Sequence, residues 1–387
     1  MTDSASPLPL AGLRVLDLTR VLAGPFATMI LADLGADVVK IERPPGGDDA
    51  RHFGPFLPSG LSAYFASINR GKRSVVLDLK QPDDRRTFLS LVERADVLVE
   101  NFRPGTLEGL DLSAAELART NPRLIYASAS GFGRVGPDCN RPAYDAVIQA
   151  LSGLMSITGS GPGEPVRVGT SIADLVTGLF TVVGILAALR NREQHAHVAD
   201  VDIAMLDATV AMLENAVARY EVTGEVPVPL GTRHPSIAPF QAFEAADGPL
   251  VIAAGNDVLW QRLCTVLEAP QLAADPRLAT NASRVERVTE LAAELNRRLA
   301  ARPRDVWLER LAAAGIPAAP IRGVDEVVRD PQLIARGMLH AVDDGAGHCL
   351  TTPGSPLRLG GAALPLAPRA PRLGEHTAQV LDEWLGE

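Results

Sequence analysis

From Arg14 the chain reads RVLDL, then PFATMILADLGA, then DVVKIE, so a short apolar run, a longer apolar stretch closed by Gly35 and a second short apolar run follow one another. Runs of this length fit strands buried on both faces, and the segment between them fits a helix, which makes a βαβ unit. SVVLDL at Ser74–Leu79 and DVLVEN at Asp96–Asn101 repeat the scheme around a helix near Asp83–Arg94, and RLIYAS at Arg123–Ser128 adds a strand after a helix at Ser113–Arg119. Strands apolar on both faces that alternate with helices predict an α/β fold with a mainly parallel, doubly wound, Rossmann-like sheet. The repetition is one of architecture; the sequence shows no solenoid period.

Beyond Ala143–Leu154 comes a Gly/Pro-rich loop, TGSGPGEPVRVGT, and then an apolar run from Leu175 to Leu189. At 15 residues, with Thr177 and Gly178 inside it, this run falls short of the roughly 20 that cross a bilayer, so it reads as a buried helix. HVADVDIAMLDATVAMLENAVARY starts as a short strand and becomes a helix from about Met205. After Tyr220 the composition shifts to TGEVPVPLGTRHPS, a crossing into a second domain with a strand pair around Ala246–Gly248 and helices near Val258–Leu267, Ser283–Ala301 and Arg304–Ala314. A helix near Val324–Ala335, a Gly/Pro-rich region from Gly345 to Arg372 and an amphipathic HTAQVLDEWLGE complete the pattern.

Composition narrows the function classes. The 34 glycines and 30 prolines in 387 residues exceed average usage of about 7% and 5%, so turns and crossings are many. With 37 Lys plus Arg against 46 Asp plus Glu the net charge is −9, which excludes nucleic acid as a main partner. Cys139, Cys264 and Cys349 are far apart and form no CxxC pair, which fits a reducing, cytoplasmic setting. MTDSASPLPLAG has no basic segment ahead of an apolar core, so neither a secretory signal nor a membrane partner is expected.

Candidate chemistry starts where the first strand ends. A dinucleotide enzyme would carry GxGxxG there, whereas TRVLAGP has a single glycine, so a nicotinamide cofactor is not expected. Arg20, Arg43 and Arg103 stand near strand ends and suit an anionic ligand, although each also reads as a solvated surface charge. Asp174 lies in VGTSIADLVTGLF, between the Gly-rich loop and the apolar helix. As the fourth residue of Ser171-x-x-Asp174 it suits a capping box, and as a carboxylate at the mouth of a crevice it suits an acyl-accepting nucleophile. Both roles can coexist, since helix-end N–H groups would keep it ionised at neutral pH. The histidines are scattered, and His195-x-His197 has no carboxylate or thiol spaced to complete a metal site, so no metal is expected. No GxSxG elbow supports a hydrolase triad, and Tyr126, Tyr144 and Phe102 read as packing aromatics.

Several motifs together carry a resemblance: LAGLRVLDLTRVLAGPFATMILADLGADVVKIERPPGGDDAR at the start, NRGKRSVVLDLK, ADVLVENFRPG, NPRLIYASASGFG, the stretch around Asp174, and LGEHT near the end. In that order, over nearly the whole chain, they resemble the class III (formyl-CoA transferase-like) CoA-transferases. The resemblance implies a large CoA-binding domain from residues 1–222, a smaller inserted α+β domain at 223–325, and a return segment at 326–387 that completes the large domain. It also implies an interlocked homodimer. Asp174 matches the family's nucleophile, and Arg43, Lys80, Asn101, Phe102 and Met205, with Leu22 and Arg103 beside them, match the CoA-contacting positions. Arg43 and Lys80 would meet the phosphates of coenzyme A.

The implied activity moves CoA from an acyl-CoA donor to a free carboxylic acid through an aspartyl anhydride and an aspartyl thioester at Asp174, with no metal. Racemases that share the fold carry Gly-His-Asp where this chain has Ala143-Tyr144-Asp145. A tyrosine with a pKa of about 10 is a poor proton shuttle beside a histidine at about 6.5, so transfer is favoured, with Tyr144 and Asp145 as further catalytic candidates. An acyl-CoA racemase or epimerase and a non-catalytic CoA-binding protein are the alternatives. Leu22 replaces the glutamine of formyl-CoA:oxalate enzymes, which weakens formate and oxalate as substrates. IAAGNDVLW, with Gly255 alone where those enzymes have a run of glycines, and GTRHPSIAPFQAF before it are more similar to members that act on dicarboxylic acids. Arg233 or His234 would then meet the second carboxylate, and the Gly255 loop would act as a lid. HAHV at His195–Val198 departs from the family's Gly-x-Gly turn.

Overall fold

The computed structural model describes residues 8–195 and 200–386. The chain divides into two compact units, one made of Met1–Met155, Arg167–Glu225 and Val328–Glu387, the other of Ser156–Val166 and Val226–Val327. The segment Ser156–Val166, expected within the large domain, groups with the second unit.

In the first unit the chain runs β1 (Arg14–Asp17), α1 (Ala23–Asp33), β2 (Asp37–Glu42), α2 (Ala63–Ile68), β3 (Lys72–Val76), α3 (Pro82–Val92), β4 (Val97–Glu100), α4 (Ala114–Thr120) and β5 (Ile125–Ser130). It continues through α5 (Asp145–Leu151), a short α6 (Leu154–Ile157) whose last two residues belong to the second unit, α7 (Ile172–His195), β6 (Val201–Ala204), α8 (Met205–Ala211) and α9 (Asn215–Thr223). The six strands pair in parallel in the order β3-β2-β1-β4-β5-β6, so the direction of winding reverses between β1 and β4.

The two-residue period of a strand explains why these runs are apolar throughout. Val15, Val38, Val97, Val99, Ile125 and Ala127 pack on one face with Ala27 and Leu31 of α1 and Val182, Ile185 and Leu189 of α7. Their neighbours Leu16, Val39, Leu98 and Tyr126 point the other way, onto Phe88 and Leu91 of α3, Leu117 of α4, and Val380 and Trp384. The last two belong to a helix at Thr377–Leu385, so the end of the chain helps to cover the sheet that its beginning builds.

Two elements differ from the sequence reading. The strand expected at Ser74–Leu79 begins at Lys72 and ends at Val76, because Lys72 is a charged residue buried inside a strand. The helix expected over Leu175–Leu189 is 24 residues long, enough by length and composition to cross a membrane. One face nevertheless packs on the sheet, and Gly178 lets it approach α1 so closely that a Cβ there would come within 2.8 Å of the Ala23 carbonyl oxygen. Leu179, Phe180 and Val183 on α7 remain exposed.

The second unit holds β7 (Phe240–Ala245), β8 (Gly248–Ala253) and β9 (Ala318–Pro320) in an antiparallel sheet, with Ala246 and Asp247 at the expected turn. Its own core forms around Phe243, Leu250, Ile252, Trp260, Leu295 and Trp307.

At the carboxyl ends of β1 and β2 the interior of the first unit is ionic. The Lys72 ammonium meets Asp17 Oδ2 at 2.9 Å, the Pro25 carbonyl at 2.9 Å and Asn69 Oδ1 at 2.8 Å, so its three protons are all engaged. Lys40 donates to the Thr19 carbonyl at 2.7 Å and pairs with Asp48 at 2.9 Å. Burial alone would raise the Asp17 carboxyl, but Lys40, Lys72 and the hydroxyls of Thr19 and Thr28 outweigh it and hold the group well below the usual carboxylate range. Asp48 Oδ1 accepts the N–H of Val21 at 3.0 Å. Val21 has φ 66°, a left-handed conformation that a β-branched residue keeps only when its surroundings enforce it. Removing one partner of such a pair strands the other charge. Lys72→Met is therefore expected to cost about 3–5 kcal/mol in urea unfolding, and Asp17→Asn combined with Lys72→Met to recover part of that loss. A single variant as stable as wild type contradicts the assignment.

Candidate active site

The side chains singled out in the sequence follow the carboxyl ends of the parallel strands, where open α/β sheets bind ligands. Leu22 follows β1, Arg43 follows β2, Lys80 follows β3, Asn101, Phe102 and Arg103 follow β4, and Met205 follows β6. Between β1 and β4, where the winding reverses, the Asn101 amide clamps the backbone of Arg20. Its Oδ1 accepts the Arg20 N–H at 2.7 Å, and its Nδ2 donates to the Arg20 carbonyl at 2.7 Å.

Two cavities open at this edge. The larger, about 330 Å³, is lined by Arg20, Arg43, Lys80 and Phe102 together with Leu77, Thr106 and Leu110. The smaller, about 170 Å³, is lined by Leu22, Asn101, Phe102, Arg103, Tyr144, Asp174 and Met205, again with Arg20. Arg20 and Phe102 line both, and the guanidinium lies 5.4 Å from the centre of the Phe102 ring. The expected CoA-contacting residues and the expected nucleophile thus gather in one unit, around two cavities with a common wall.

Asp174 sits in the first turn of α7. Ala173 beside it packs with Ile148 of α5 and Met205 of α8, which fixes the start of the helix. The capping expected of Asp174 is made by another residue. Asp145 Oδ1 accepts the Ala173 N–H at 2.9 Å, and Asp145 Oδ2 accepts from Gln149 Nε2 at 2.7 Å. Gln149 Oε1 in turn accepts the Val168 N–H at 2.9 Å, tying the loop ahead of α7 to α5. The structure corrects the expectation that helix-end N–H groups keep Asp174 ionised. Burial lifts the Asp174 carboxyl to about 7, and the like charge of Asp145 adds to the effect. Asp145 is buried behind the site, whereas Tyr144 is 73% exposed at its mouth.

Arg233, His234 and Gly255 belong to the second unit. There Arg233 lines a cavity of about 480 Å³ with Ser160, Thr232, Gln241 and Asn296. The His234 ring stacks on Phe240 with centroids 5.3 Å apart, and its Nδ1 accepts the Ser236 N–H at 3.1 Å. Gly255 is exposed between β8 and a helix at Asp257–Val266. Of the HAHV stretch, His195 ends α7, and Ala196, His197 and Val198 lie outside the described residues. Among the described residues no three His, Cys, Asp or Glu side chains gather as a metal site, and the three cysteines are free thiols.

Sequence reasoning named Arg20 only as one of three strand-end arginines and missed four neighbours. Asp49 pairs with Arg20 at 3.0 Å and with Arg43 at 2.7 Å. Tyr64 on α2 is pushed up to about 12 by burial, then by the charges of Asp174, Asp48 and Asp145. Cys139 and Arg141 line the smaller cavity. The PPGGDDAR motif was the signal for Asp49; nothing in the local pattern marks Tyr64 or Cys139.

The model of the family described as CoA-transferase family III matches residues 10–377. An acetyl-CoA:oxalate CoA-transferase of Acetobacter aceti is 46% identical over 386 residues, which cover 99% of this chain and 98% of that protein. A succinyl-CoA:mesaconate CoA-transferase of Haloarcula hispanica is 46% identical over 380 residues, 96% of this chain and 95% of that protein. Among solved structures, a CAIB/BAIF family protein from Brucella suis superposes with a TM-score of 0.87 at 40% identity, covering 98% of this chain and 100% of that one. Together with a parallel sheet that carries its charged cavities at the carboxyl edge, these matches show that the chain belongs to CoA-transferase family III.

Proposed function

We propose that this enzyme moves CoA between short dicarboxylic acids, with Asp174 as the covalent acyl acceptor. The observation that carries this reading is the position of Asp174. It is a carboxyl in the smaller cavity, raised to about 7, next to a larger cavity whose Arg43 and Lys80 suit the phosphates of coenzyme A. The substrate class follows from relatives named for oxalate, succinyl-CoA and mesaconate. A relative named for oxalate keeps that acid among the candidates.

The Asp174 carboxylate attacks the thioester carbonyl of the bound acyl-CoA, giving a mixed anhydride and CoA thiolate. The thiolate attacks the aspartyl carbonyl, releases the donor acid and leaves an aspartyl-CoA thioester. The acceptor carboxylate attacks that thioester, and the freed thiolate then takes the new acyl group and regenerates Asp174. Each step exchanges one activated acyl bond for another, so exclusion of water preserves the transfer potential. The first turn of α1 has no side-chain cap, and Ala23 lines the smaller cavity, so in this reading the Ala23 and Gly24 N–H groups are the donors for the developing oxyanion. A carboxyl raised toward neutrality is less basic than CoA thiolate yet more basic than an ordinary aspartate, so it serves both as nucleophile and as leaving group.

The exposed Leu179, Phe180 and Val183 on α7 support a homodimer, whose interlocked form is what the resemblance implies, and the three free thiols support a cytoplasmic setting.

Asp174→Ala is expected to lower transfer by about 10⁴-fold or more while CoA affinity stays within about threefold. Hydroxylamine added after acyl-CoA should form a hydroxamate at Asp174 in the wild type and none in the variant. Turnover at the wild-type rate in Asp174→Ala contradicts the mechanism. The pH profile gives a second check. A nucleophile that ionises near 7 makes kcat/KM fall about tenfold per pH unit below that point and level off above it. Asp145→Asn keeps an acceptor for the Ala173 N–H but removes the like charge, so the falling limb should move to lower pH. A limb that stays in place contradicts the coupling.

A further inference from the structure

The proposed function leaves one requirement open: while one carboxyl of a dicarboxylic acid reacts at Asp174, the other needs a cation. We propose that Arg20 is that cation, the anchor that reads the free carboxylate and so selects dicarboxylic over monocarboxylic acids. The inference rests on the CoA-transfer reading above.

Position is the first argument. Among the described residues Arg20 is the one cationic side chain that lines both cavities, so it stands where the bound thioester and the acid must meet. Arg43 and Lys80 line only the larger cavity. Arg103 and Arg141 line only the smaller one, where Arg141 is already paired with Asp138 at 2.9 Å.

Pre-organisation is the second. The Asn101 clamp holds both backbone polar groups of Arg20, the next residue is the strained Val21 held by Asp48, and the guanidinium lies over Phe102. Very little motion remains to be lost when a carboxylate docks.

Charge and unused donors are the third. Asp49 gives one oxygen to Arg20 and the other to Arg43, so a single negative charge serves two guanidinium groups and a surplus positive charge remains. Of the Arg20 side-chain nitrogens, Nη1 is bonded to Asp49, Nε is shut away from solvent, and Nη2 has no hydrogen-bond partner among the described residues. A planar guanidinium with free N–H groups matches the two oxygens of a carboxylate.

The test uses Arg20→Leu and Arg20→Lys, each with its folding checked by urea midpoint, and three readouts. These are the ratio of kcat/KM for succinate over butyrate as acceptors, the Kd for CoA, and the Kd for succinate titrated into the CoA complex. Arg20→Leu should lower the succinate/butyrate ratio by about 100-fold and weaken succinate binding in step, with CoA affinity within about threefold; Arg20→Lys should lower the ratio by about tenfold. An equal fall for both acids together with weaker CoA binding would show that Arg20 holds a phosphate of CoA, and would overturn the proposal. So would an unchanged ratio, or an Arg233→Gln variant that loses the discrimination while Arg20→Leu keeps it. Wild-type protein that binds succinate through Arg20 yet transfers nothing and forms no hydroxamate would overturn the CoA-transfer reading and leave the anchor standing.

Discussion

Two lysines inside a parallel sheet are the constraint on which the rest of the site depends. Lys72 and Asp17, with Lys40 and Asp48, are fully or almost fully buried, and withdrawing each ion from water costs several kcal/mol before any contact is made. Their mutual attraction and the surrounding hydrogen bonds offset that cost, but an apolar core of the same shape would achieve as much. What the apolar core would not supply is the shape of the turn after β1. Asp17 orders Thr19, Lys40 holds the Thr19 carbonyl, and Asp48 takes the Val21 N–H, so a conformation that costs about 1–3 kcal/mol in isolation becomes the ground state.

The turn then distributes function. Its backbone meets Asn101 across the point where the sheet reverses its winding, its side chain Arg20 divides the two cavities, and its end starts α1. Gly24 belongs to the same construction, since a Cβ there would come within 2.3 Å of Thr19, the residue that Asp17 holds. Helix α7 crosses α1 at Gly178 and carries Asp174 into the smaller cavity. The ionic cluster, the crossing of the two helices and the cap from Asp145 therefore fix Asp174 and the strand-end cations relative to one frame.

Most of the first unit was legible in the sequence because its strands are buried on two sides. Runs such as VLDL and DVVKIE have no polar alternation to hide them, and the order of elements then dictates a parallel sheet. Legibility ended where charge enters the interior. Lys72 reads as a loop residue until its three hydrogen-bond partners are seen, and this moved the start of β3. Asp174 had the spacing of a cap, yet the cap comes from Asp145, a contact 28 residues away that no local pattern encodes. The same limit applies to Arg20, whose importance lies in lining two cavities, and to Tyr64, which feels Asp174 only through the charge of that carboxylate. The strand-end residues Arg43, Lys80, Asn101 and Phe102 were accessible because the sheet order itself brings them together.

The burial and like-charge pressure that raise Asp174 fit a residue that must bond to an acyl group and leave it again within one turnover. The most direct measurement is isotopic. If each acceptor passes through an anhydride with Asp174, one oxygen of its carboxylate stays behind on the aspartate when the thiolate takes the acyl group. Turnover with an acceptor acid labelled with heavy oxygen, followed by mass spectrometry of the peptide containing Asp174, should therefore show one labelled oxygen after a single turnover and a second after many. A peptide that stays unlabelled while labelled acyl-CoA accumulates would show that the acyl groups never pass through Asp174.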